Sequence, residues 1–153
     1  MPGTSKRSTA ERVLFDVNVV LDALLRRQPH DRAAERLWAA VESGRIRGYL
    51  PAHAVTTIFY LLRKQVGVEE ARKIVGLLLH VFDVAPVNER VLASALTLAC
   101  PDFEDAVCAA AAHAARCEVV VTRDPKGFLG SVVPALEPDV VLAALVSPKT
   151  PIR

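Results

Sequence analysis

The sequence predicts an α/β fold: a three-layer α/β/α sandwich around a central, mainly parallel sheet. Three observations carry this expectation. Short, wholly apolar runs alternate with longer amphipathic segments, as when strands are covered by helices on both faces. No repeat or linker divides the 153 residues, a length typical of one domain. Hydrophobic residues make up 52% and aromatics only 5%, so the core is expected to be aliphatic.

Each element follows from local pattern. Val13-Leu14-Phe15 is a buried strand that ends at Asp16, and residues 19–25 are helical. Asp31 is expected to cap a helix over 32–43, with Leu37, Trp38 and Val41 inward and Gly44 as its stop. Gly48-Tyr49-Leu50 is a second strand, closed by Pro51. Residues 52–65 form a helix with Val55, Ile58, Phe59 and Leu62 on one face, and 69–80 form another. A strand over 82–87 precedes Asn88, the cap of a helix over 89–99. Pro101-Asp102 opens a helix that reaches residue 116. Residues 118–122, with three successive valines, are the clearest strand. Val132-Val133 and Ala135-Leu136 make an edge strand, and 138–146 a last short helix. The domain is placed at 12–146, with 1–11 a flexible tail and 147–153 a loose one.

Composition excludes several classes. No apolar run approaches the ~20 residues that cross a bilayer, and the first residues lack the apolar stretch of a signal peptide. A cytoplasmic protein without a membrane is expected. Cys100, Cys108 and Cys117 are an odd set without a paired framework, which suits a reducing compartment. His113 and Cys117 stand four apart on a helix, but further ligands at zinc-like spacing are missing, so they read as residues of an Ala-rich helix. The net charge of +2 is no basic stripe. Basic doublets such as Arg26-Arg27 and Arg63-Lys64 read as solvated helix faces.

The acids are more informative. In open α/β sheets, ligands bind beyond the carboxyl ends of the strands. Asp16 directly follows the first strand and Asp124 follows the 118–122 strand. Asp102, Glu104 and Asp105 open the helix before that strand, so its N-terminus lies at the same edge. Asp16, Asp105 and Asp124 are thereby expected to converge. Clustered carboxylates repel one another unless a cation neutralises them. Oxygen-only sites suit Mg²⁺ or Mn²⁺, which lower the pKa of bound water and hold the oxygens of a phosphodiester. Plainer roles stand beside this one. Asp102 is placed as an N-cap, Glu104 and Asp105 favour the helix dipole, and Asp124 suits a turn before Pro125. Asp22 reads as a surface bystander on the first helix. Asp16 is harder to explain away, because a charge ending a buried strand needs a partner.

Residues 13–22, 56–64, 102–106 and 120–128 resemble, in order, the motifs of PIN-domain proteins, in particular the bacterial toxin ribonucleases of the VapC type. The resemblance runs from Arg12 to about Leu145. It implies a PIN-like fold and an Mg²⁺- or Mn²⁺-dependent endoribonuclease acting on RNA, the toxin of a toxin–antitoxin pair, with a cognate antitoxin and a homodimer. By position it makes Asp16 the central catalytic metal ligand, with Asp105 and Asp124 as second and third acids. Asn18 would support Asp16 or a bound water, and Thr122 would orient the last acid. The family's second-motif glutamate is replaced by Thr57, and Glu104 leaning into the site would compensate. Val17 stands where a threonine or serine is usual. Arg123 and Lys126 lie beside the site, where their charge could hold RNA phosphates, although an ordinary surface location explains them equally well. The alternative is a catalytically weakened PIN domain that binds RNA or protein. A haloacid-dehalogenase phosphatase would want an aspartate at Asn18 and a suitably placed lysine, which cannot be assigned.

Overall fold

The computed structural model describes residues 10–146, so the residues 1–9 and 147–153 of the two expected tails lie outside the described residues. The chain runs β1 (Glu11–Phe15), α1 (Val17–Leu24), α2 (Asp31–Glu42), β2 (Ile46–Pro51), α3 (Ala52–Val66), α4 (Val68–Val81), β3 (Asp83–Ala85), α5 (Glu89–Ala95), α6 (Phe103–Ala114), β4 (Val119–Val121), a 3-10 turn (Pro125–Phe128), β5 (Ala135–Leu136) and α7 (Pro138–Val146). The five strands pair in parallel throughout, in the order β3-β2-β1-β4-β5.

Strand alternation sorts the core into two layers. Val13 and Phe15 of β1, with Val119 and Val121 of β4, pack with residues of α1, α2, α3, α4 and α7. Leu14 and Val120 point the other way, into residues of α5 and α6. Val13 to Phe15 of β1 and Val119 to Val121 of β4 are buried on both faces, which is why these stretches read as unbroken apolar runs. Each fully buried Leu, Ile or Phe side chain contributes about 1.5–3 kcal/mol. Phe15 and Trp38 both meet Phe82 edge-on, at centroid distances of 5.0 and 5.2 Å. Gly48 is needed under that cluster, since a Cβ there would come within 2.6 Å of the Phe82 ring and 2.8 Å of Val41. In α6 every residue from Ala106 to Ala112 is buried. Alanines and Cys108 let this helix lie close to the sheet, as expected of small buried residues.

Some boundaries differ from expectation. Glu11 already belongs to β1 rather than to a tail. Asp31 is the first residue of α2, with His30 at the cap position and no side-chain cap bond. Asn88 does cap α5, accepting from the Val91 amide at 3.0 Å, but α5 stops at Ala95 rather than Ala99. There Thr97 and Leu98 donate to carbonyls three residues back and tighten the chain into a turn. Val132-Val133 is not part of the edge strand, because the Ser131 side chain takes both the Val133 amide and its carbonyl.

Topology selects the functional edge. The chain moves outward from β1 through β2 to β3, then crosses back to add β4 on the other side of β1. The carboxyl ends of β1 and β4 therefore flank the switch point, where open α/β sheets leave a crevice. Among the described residues no helix is long and apolar enough to cross a membrane.

Candidate functional site

Asp16 sits at the carboxyl end of β1 and at the N-cap of α1, in an extended conformation. Its backbone amide donates to Val121 O at 3.0 Å, which ties it to β4. Its carboxylate makes no side-chain cap bond to the helix. Instead the Thr122 hydroxyl donates to Asp16 Oδ2 at 2.8 Å. The same Thr122 oxygen accepts from the Asp124 amide at 3.0 Å. Thr122 is thus fully buried between the two acids. The hydroxyl expected to orient the last acid bonds both: its oxygen holds Asp124 through the backbone amide, and its proton goes to the Asp16 carboxylate.

Asp105 comes from the first turn of α6, whose N-cap Asp102 accepts the Asp105 amide at 3.1 Å. Asp102 therefore has the capping role expected of it. A Cβ on Gly127 would lie 2.6 Å from Asp105 Oδ2 and 3.4 Å from Asp124 Oδ2, so both carboxylates face one small backbone gap. The result is a cavity of about 300 Å³ lined by Asp16, Val17, Asn18, Thr57, Leu61, Glu104, Asp105, Thr122, Asp124 and Phe128. The three aspartates expected to converge do share one cavity, with Glu104 and Thr57 beside them.

Electrostatics bear the mark of that crowding. Burial pushes the Asp105 carboxyl up to about 6, and Asp16, Asp102, Glu104 and Asp124 push it the same way. Asp16 is also raised, mainly by burial, although the Thr122 hydroxyl bond and the neighbouring Val17 backbone amide oppose the shift. Among the described residues no three His, Cys, Asp or Glu side chains are already drawn into a closed metal-binding set. The donors nonetheless fit a hard cation. They are all oxygen, they repel one another without a counter-charge, and Mg²⁺ commonly takes only one or two carboxylates alongside water and phosphate.

Other expectations need amendment. Asn18 lines the cavity, and its amide oxygen accepts from Arg27 Nη1 at 3.4 Å. Asp22 is no surface bystander: it is 1% exposed and bonded by Arg123, with Nε at 2.7 Å from Oδ2 and Nη2 at 3.3 Å from Oδ1. Arg123 is therefore engaged with Asp22, whereas Lys126 is exposed beside the cavity. One clue had been available: a lone carboxylate among the apolar residues of α1 calls for a cation. Sequence reasoning also missed His53, whose Nε2 lies 3.8 Å from Glu104 Oε2 and 3.8 Å from Cys108 Sγ. Burial lowers the His53 pKa, partly offset by Glu104.

An all-parallel α/β sandwich with a cluster of carboxylates in a cavity at its switch point defines a class, a small domain with the donor chemistry for a hard divalent cation. The PIN domain family matches over residues 12–126, and the chain belongs to it. No sequence among curated proteins matches. Solved structures share the fold. A toxin–antitoxin complex from Klebsiella pneumoniae aligns with a TM-score of 0.64 at 20% identity, covering 82% of this chain and 97% of that one. FitAcB from Neisseria gonorrhoeae aligns at 0.63 and 20% identity, with coverage of 82% and 97%. Mycobacterium tuberculosis VapC20, described as a Sarcin-Ricin loop cleaving toxin, aligns at 0.62 and 17% identity, with coverage of 78% and 96%.

Proposed function

We propose that this PIN domain is a divalent-metal-dependent endoribonuclease, the toxin component of a toxin–antitoxin pair. The observation that carries the reading is the meeting of Asp16, Asp105 and Asp124 in one cavity at the switch point. Asp16, Asp105 and Asp124, with Glu104, would hold Mg²⁺ or Mn²⁺. When bound, such an ion supplies a water of lowered pKa and neutralises charge on the phosphodiester. The chain's own residues do the rest. Thr122 fixes the Asp16 carboxylate toward the cavity. Lys126 contributes positive charge at the rim, where RNA phosphates would pass. A cognate antitoxin belongs to the same proposal, supported by the toxin–antitoxin complex from Klebsiella pneumoniae that shares this fold; the homodimer rests on the family resemblance alone.

Single-stranded RNA cleavage with Mn²⁺, set against the Asp16→Asn variant, tests the reading. The wild type should cleave, EDTA should stop it, and Asp16→Asn should fall at least about 100-fold, as when a transition-state charge stabiliser is lost. Equal background cleavage by both proteins would overturn it. A second reading, a PIN domain that binds RNA or protein without cutting, is favoured by Thr57, whose neutral side chain lines the cavity where a further carboxylate would complete the acidic set. In that case Mn²⁺ uptake would be weak or nil while RNA or partner binding persisted.

A further inference from the structure

Asp22 is a buried carboxylate, and the only charged residue, in the largely apolar helix α1. Arg123 bonds both of its oxygens, and Arg27 Nη1 stands 3.9 Å from Oδ1. A guanidinium fork is among the few groups that satisfy a buried carboxylate completely. The place of this pair in the chain matters more than its strength. Arg123 stands between Thr122, whose hydroxyl bonds Asp16, and Asp124, whose amide bonds back to Thr122. Asp16 itself begins the helix that carries Asp22. The connections close a circuit from Asp16 along α1 to Asp22, across to Arg123, and back through Thr122 to Asp16.

We propose that Asp22 and Arg123 are positioning residues, a clamp that holds the segment after β4 against α1 so that Asp16 and Asp124 face the same cavity. What the clamp serves rests on the metal-dependent reading above. The fork fixes distance and angle together, which a single point charge does not. In this arrangement Arg123 acts through the acids rather than on RNA.

The test uses the full chain. Asp22→Asn keeps the shape and removes the charge, and Arg123→Lys keeps the charge and removes the fork. Amide hydrogen exchange over residues 122–128 is read in metal-free protein, and Mn²⁺ affinity by calorimetry. Both variants should keep the wild-type far-ultraviolet dichroism, lose protection selectively over 122–128, and bind Mn²⁺ about 10–100-fold more weakly, the usual cost of losing a supporting partner. Should either single variant fail to fold, the pair Asp22→Asn with Arg123→Gln replaces the ions by neutral amides and should show the same loosened segment. Unchanged exchange over 122–128 in a folded variant overturns the clamp, whatever happens to Mn²⁺ binding. A wild type that takes up no Mn²⁺ overturns the metal reading instead, and the exchange measurement still decides the clamp.

Discussion

Gly127 and Asp105 set the tolerances of the cavity. The missing side chain at Gly127 leaves the gap into which the Asp105 carboxylate points. In Gly127→Ala the new methyl group would meet Asp105 Oδ2 at 2.6 Å, and the carboxylate, as the flexible end of its side chain, must rotate away. Mn²⁺ affinity should fall about tenfold, with thermal stability nearly unchanged. Calorimetric titration beside a melting curve checks this; equal affinities would remove Asp105 from the metal site. Protonation offers a second measurement. Asp105 titrates at about 6 in the fold, against ~3.9 in an unfolded chain. A raised carboxylate pKa means that the folded state holds the proton more tightly. In the metal-free protein the stability that Asp105 contributes is therefore fully present below the unfolded value and is lost as pH rises through about 6, on the order of 1 kcal/mol once solvent screening is allowed for. Asp16 shifts in the same direction. A bound cation relieves this repulsion, so Mn²⁺ should raise Tm more at about pH 7.5 than at about pH 5. Equal gains at both would contradict the placement.

Among the elements, α6 is where stability and site are most closely joined. Its cap Asp102 satisfies the Asp105 amide and thereby sets where the helix begins and where Asp105 points. Asp102→Ala should cost about 1 kcal/mol of stability through the lost cap, and should loosen Asp105. Asp102→Ser keeps an acceptor at the cap and should recover most of that stability, within a few tenths of a kcal/mol. Urea unfolding of the two variants checks this, and indistinguishable midpoints would argue against the cap. Here the sequence was a good guide, because caps are local: Asn88 and Asp102 lie within three residues of the amides they accept. Asp31 misled because the same residue type is also favourable in a first helical turn, and there it adds charge to the dipole rather than a bond.

At the scale of the whole molecule, the sheet and its two layers decide what meets what. Gly48 lies where β2 passes beneath Phe82, in contact with Val41 as well. Gly48→Ala should destabilise the protein by about 1–3 kcal/mol by overpacking, seen as a lower urea midpoint with the acidic cavity unaffected. A neutral effect would mean that Phe82 can move aside. Alternating apolar runs and helices, read from the sequence alone, were sufficient for an α/β sandwich, because burial on both faces leaves a compositional trace in the central strands β1 and β4. They also placed Asp16 and Asp124 at one edge, since a residue that ends a strand inherits that strand's direction, and Asp105 beside them, since a helix that precedes a strand starts at that strand's carboxyl edge. The strand order, and with it the switch point between β1 and β4, became visible only in the fold, because pairing between distant strands leaves no local mark. The destination of Thr122's hydroxyl and the burial of Asp22 against Arg123 were decided there too, 106 and 101 residues apart in the chain. Side-chain hydrogen bonds of that span depend on how elements dock, whereas a helix, a strand or a cap depends on neighbours a few residues away.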